Sequence, residues 1–82
     1  MKREFSDGEG GTWKAFAADA VVAHGKPGAI LAFHPSDGDE ADAVLSTITF
    51  NSKAAAEFAL GTMGVKELRR RLDLARMAVG GV

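Results

Sequence analysis

Eighty-two residues with a net charge of −1 and no cysteine fit one domain without disulfides or thiolate metal sites. Apolar residues make up 46% of the chain, but 15 of them are Ala, so the expected core is lean and favours self-association or docking on a partner. Residues 1–50 carry four basic and eight acidic side chains, whereas 51–82 carry six basic and three acidic, an asymmetry that marks a polyanion surface or two mutually attracting halves.

The chain opens with "MKREFSDGEG", charge followed by acids and glycines. A signal peptide would need an apolar run here, so a cytoplasmic protein is expected. No apolar stretch approaches the roughly 20 residues that span a bilayer, so no membrane partner is expected. "REFSDGEGGTWKAF" predicts a hairpin, with Phe5 and Trp13 on either side of a glycine-rich turn.

"TWKAFAADAVVAHG", residues 12–25, admits two readings. Trp13, Phe16, Ala17, Ala20, Val21 and His24 fall at helical spacing, with Thr12 as N-cap and Gly25 beyond the end. Glycine-bearing turns on both sides, "GEGG" and "GKPG", favour a strand in a meander instead. The strand is the reading adopted. The alternative is a three-helix domain with a small hairpin.

"AILAFHP", residues 29–35, is a short apolar run bounded by Gly28 and Pro35 and fits a strand. "SDGDEADA" is an acidic loop. "VLSTITF", residues 44–50, alternates, with Val44, Ser46, Ile48 and Phe50 on one face and Leu45, Thr47 and Thr49 on the other. Asn51 or Ser52 caps a helix at about 52–60, ended by Gly61 and anchored by Phe58. A second helix is expected at about 64–79, with Gly64 as N-cap. Val65, Leu68, Leu72, Ala75 and Val79 form its apolar stripe. The predicted architecture is a single α+β domain over 1–82. A small antiparallel meander of three or four strands, within 2–50, packs against two C-terminal helices.

"VKELRRRLDLAR" places several arginines around that stripe instead of on one side. Glu67 precedes Arg71 by four, Arg69 precedes Asp73 by four and Asp73 precedes Arg76 by three, so intrahelical pairs are expected. A nucleic-acid interface would use Lys66, Arg69 and Arg70, but the acidic chain and the lack of interleaved aromatics weigh against it. Leu74 and Met77, with Arg70 beside them, lie off the stripe and form the expected partner-binding patch.

His24 and His34 lack zinc-motif spacing, and the acids at 37, 39, 40 and 42 do not follow a calcium loop, so no metal is expected. No nucleophile elbow or phosphate-binding loop is present in the sequence, and no cofactor or catalytic residue is expected. The expected function is a non-catalytic protein-binding module, an accessory subunit, adaptor or regulator. Its partner is another protein or a second copy held through the C-terminal helix. A nucleic-acid-binding regulator is the alternative.

Overall fold

Four strands follow one another in sequence order and pair antiparallel: β1 (Lys2–Ser6), β2 (Thr12–Val21), β3 (Pro27–Pro35) and β4 (Val44–Phe50). Two helices follow, α1 (Lys53–Thr62) and α2 (Val65–Gly80). The computed structural model describes residues 1–80, apart from the side chains of Ala23 and Val79. The architecture is the α+β meander with two C-terminal helices that the sequence predicts.

The first turn shows why glycine is needed. Gly8 and Gly10 take φ values of 84° and 92°, which L side chains rarely adopt. Asp7 Oδ1 accepts from the backbone N–H of Glu9 at 2.7 Å and of Gly11 at 3.0 Å. This sets the register in which Phe5 faces Trp13. Residues 12–21 are strand, not helix, because a closed turn lies on each side. Both faces of β2 carry apolar residues, so the helical spacing there is incidental.

One sheet face meets the helices. Phe5, Trp13, Ala15, Leu31, Phe33, Val44, Ile48 and Phe50 meet Leu60, Leu68, Leu72 and Ala75 in one core. Phe5 and Phe33 pack edge to face, with centroids 6.1 Å apart. Pairing between β3 and β4 is regular at Ala29–Phe50 and Phe33–Val44 and shifts between Ile30 and Ala32. The shift leaves residues 46–48 opposite Leu31, a bulge. Ser46, buried there, accepts the Ile48 N–H on its Oγ at 3.2 Å.

Ser52 caps α1, its Oγ accepting from the Ala55 N–H at 3.1 Å. Two expectations for this helix need correction. It does not stop at Gly61 but runs to Thr62, whose Oγ1 bonds back to the Phe58 and Ala59 carbonyls at 3.1 Å. Nor does Phe58 anchor it. Ala56 and Leu60, four apart, are the fully buried positions, and Phe58 between them points the opposite way, 75% exposed. Ala56 packs with Ala17 and Ala29, a close approach of small side chains that leaves no room for a ring.

α2 starts as expected, with Gly64 O accepting the Leu68 N–H at 2.9 Å. Leu68, Leu72 and Ala75 are fully buried. Val65 is 42% exposed, which corrects its place in the stripe: it stands in the first turn, before the helix reaches the core. Val79, the last member of the predicted stripe, has its side chain outside the described residues. α1 packs on β2, β3 and β4, while α2 packs chiefly on β4 and also touches β1.

Candidate interaction surface

The basic residues of α2 radiate from the buried seam. Arg69 Nε donates to the Ser6 carbonyl at 2.7 Å, and the Arg76 guanidinium lies 5.4 Å from the Trp13 ring centroid. Both are thereby directed at the first hairpin. Arg71 Nε donates to Glu67 Oε2 at 2.6 Å, the expected pair four residues apart. Arg70 also reaches Glu67, at 3.4 Å. The expected Arg69–Asp73 and Asp73–Arg76 pairs give way to the long-range contacts with Ser6 and Trp13. Such exposed pairs contribute little energy, so a backbone carbonyl or a half-buried ring readily outcompetes them. Of the three residues considered for nucleic acid, Lys66 and Arg70 stand exposed on α2 and Arg69 is held by the hairpin.

The outward side of the helical layer is apolar in places. Leu74 is 40% and Met77 66% exposed, and Arg70 lies one turn before Leu74. On α1 the side centred on Phe58 consists of Ala54, Ala55, Phe58, Gly61 and Thr62, without a charge among them, while exposed Lys53 lies on another side of the helix. Phe58 belongs to the candidate surface and was not assigned to it from the sequence. The signal was available: Ala56 and Leu60 share a helix face that excludes Phe58.

The other sheet face is partly covered by the connection between β3 and β4. That segment contains a turn of 3-10 helix at Glu40–Asp42, capped by Asp39. Ser36 Oγ donates to Glu4 Oε2 at 2.9 Å, and Lys2 Nζ pairs with Glu40 Oε2 at 2.9 Å. Lys2 also lies over the Phe16 ring, 5.4 Å from its centroid. Its ammonium is 3.1 Å from Nε2 of buried His34, whose Nδ1 is 2.6 Å from the Pro35 carbonyl oxygen. The Lys2 ammonium holds the Glu40 carboxyl below its ordinary pKa by hydrogen bonding first and charge second. His24, in the turn after β2, is exposed with a left-handed φ of 61°. The two histidines therefore serve different ends of the fold, and Glu40 is committed to Lys2.

No family model, curated protein or solved structure matches the chain. No described helix is long and apolar enough to cross a membrane.

Proposed function

We propose that this chain is a non-catalytic protein-binding module, an accessory subunit, adaptor or regulator. It docks a partner protein through the outward faces of α1 and α2. The observation that carries the reading is Phe58, a phenylalanine 75% exposed in the middle of a charge-free helix side. Leu74 and Met77 extend exposed apolar surface to α2, with Arg70 beside them. Aromatic, Met and Arg side chains are the types enriched where proteins meet. A cytoplasmic setting belongs to the same proposal.

Nucleic-acid binding is less well supported. Arg69 and Arg76 are directed at Ser6 and Trp13, which leaves Lys66 and Arg70 to meet a phosphate backbone. Affinity for a polyanion rises with the number of phosphates neutralised, and two cations neutralise few.

The test is retention of the partner that co-purifies with the tagged chain from its native host. Phe58→Ser and the double substitution Leu74→Ser, Met77→Ser are expected to lose that partner while melting as the parent does. A partner equally retained by both variants, or one released by nuclease treatment, would refute the proposal.

A further inference from the structure

Positive charge in this chain is concentrated on one helix. α2 carries five basic and two acidic side chains, a net charge of +3, while the whole chain carries −1, which leaves −4 for the remainder. α1 adds nothing, because Lys53 balances Glu57. On α2 the Glu67 carboxylate is already engaged: its Oε2 takes Arg71 Nε at 2.6 Å, which leaves Arg70, at 3.4 Å, as the looser partner. Among the described residues Lys66 forms no ion pair.

These cations lead directly into the apolar patch. Lys66, Arg70 and Leu74 are spaced by four and Met77 follows three later, so all four fall within about 80° of one another, opposite buried Leu68 and Leu72. All four are exposed. They form one ridge about 16 Å long, roughly three helical turns. Its first half is positive and its second half apolar. α1 packs on the same sheet face, so exposed Phe58 looks outward in the same sense as this ridge. Asp73, three residues after Arg70, is the acid nearest the ridge and forms no ion pair among the described residues.

We infer that the partner segment is an amphipathic helix whose apolar stripe is flanked by acidic side chains. It lies along the outward ridge of α2, with carboxylates at Lys66 and Arg70 and apolar side chains on Leu74 and Met77. This inference rests on the helix-face reading above and adds the chemistry of the partner. The helical form follows from the backbone. The side of a helix offers no free N–H or C=O to an extended strand, so the incoming segment satisfies its own. The sign follows from charge complementarity: a basic segment would be repelled by Lys66 and Arg70, and a neutral one would leave them covered without a counter-charge. A bilayer or a nucleic acid is served less well, since each is held by many cations at once and Arg69 and Arg76 are directed at the hairpin. The acidic connection of a second copy, residues 36–43, has no apolar side chain larger than Ala to place on Leu74 and Met77.

Fluorescence anisotropy of the full chain with two labelled synthetic helices is the experiment. Both peptides carry the same leucine and phenylalanine stripe, flanked by glutamate in one and by lysine in the other. The glutamate peptide is expected to bind about tenfold tighter or more at low salt, by a margin that shrinks in about 0.5 M salt. The double substitution Lys66→Glu, Arg70→Glu, at two exposed sites, is expected to reverse the preference while melting as the parent does. Leu74→Ser, Met77→Ser is expected to weaken both peptides alike, because it removes apolar contact and no charge. Asp73→Asn, which removes the nearest acid, is expected to tighten the glutamate peptide. Equal affinities, a preference that survives the charge reversal, or no binding of the glutamate peptide overturns the inference. Tighter binding of a DNA oligonucleotide, an anionic phospholipid vesicle or the labelled chain itself overturns it too. A native partner lost in Phe58→Ser, with no preference for the glutamate peptide, would leave the helix-face reading standing and this inference refuted.

Discussion

Arg3 of β1 ties down the end of α1: its Nη1 donates to the Leu60 carbonyl oxygen at 2.8 Å and to the Met63 carbonyl oxygen at 3.0 Å. The last carbonyls of a helix lack intrahelical donors and carry partial negative charge. A guanidinium supplied from 57 residues away meets both needs at once. Arg3→Met keeps the aliphatic stem and deletes the donor. It is expected to cost about 1.5–3 kcal/mol, the range for a hydrogen bond from a charged group. Urea unfolding reads the loss, and Arg3→Lys is expected to fall between parent and Arg3→Met.

Gly28 sits where strand backbones approach closely. A Cβ there would overlap the Phe50 carbonyl oxygen and lie 2.7 Å from Val22 Cγ1. Backbone yields less readily than a side chain, so Gly28→Ala is expected to destabilise by about 1–3 kcal/mol, as overpacking does. Thermal melting checks this. Gly38→Ala, where a Cβ would make only ordinary contacts at 3.5 Å and beyond, is the control and is expected to be nearly neutral.

The meander was legible because its signals are local. Alternation in VLSTITF, glycines at the first turn and the apolar run before Pro35 each act within a few residues. The buried seam of Leu68, Leu72 and Ala75 was legible for the same reason. What escaped depends on residues distant in sequence. Phe58 lies outside because α1 needs Ala56 against Ala17 and Ala29, and that requirement comes from the sheet. Arg69 and Arg76 abandon nearby Asp73 for Ser6 and Trp13 across the fold. The bulge at 46–48 carries no glycine to announce it, and Ser46 looks like any alternating strand residue until its hydroxyl meets Ile48. At the candidate surface, Leu74, Met77 and Arg70 were read from the helix wheel, whereas Phe58 required knowing which face the sheet would take.

The corrected place of Phe58 has a direct consequence for stability. Phe58→Ser is expected to change unfolding free energy by no more than about 0.5 kcal/mol, as for a surface site. Phe33→Ala, at a fully buried ring, is expected to cost about 3–5 kcal/mol. Parallel denaturant titrations of the two variants compare them directly. Equal losses would place Phe58 back in the core.

Acid should loosen the first hairpin before the rest of the core. The Asp7 carboxyl is held below its ordinary value of 3.8, chiefly by the backbone N–H groups of Glu9 and Gly11, then by the Trp13 indole and the Arg76 charge. Desolvation opposes them, outweighing the indole and Arg76 taken singly, but loses to the backbone N–H groups. Since the folded state favours the carboxylate, this contribution is complete above the unfolded value, near 4, and disappears as pH falls through the lower folded value. Asp7→Asn removes that linkage. At neutral pH the variant is expected to be less stable than the parent, and the gap is expected to narrow below the unfolded value as the parent carboxylate takes up its proton. Paired unfolding curves from pH 2.5 to 7 measure it, with Trp13 fluorescence reporting on the hairpin itself. A gap constant across that range would show that Asp7 acts by shape alone, without its charge.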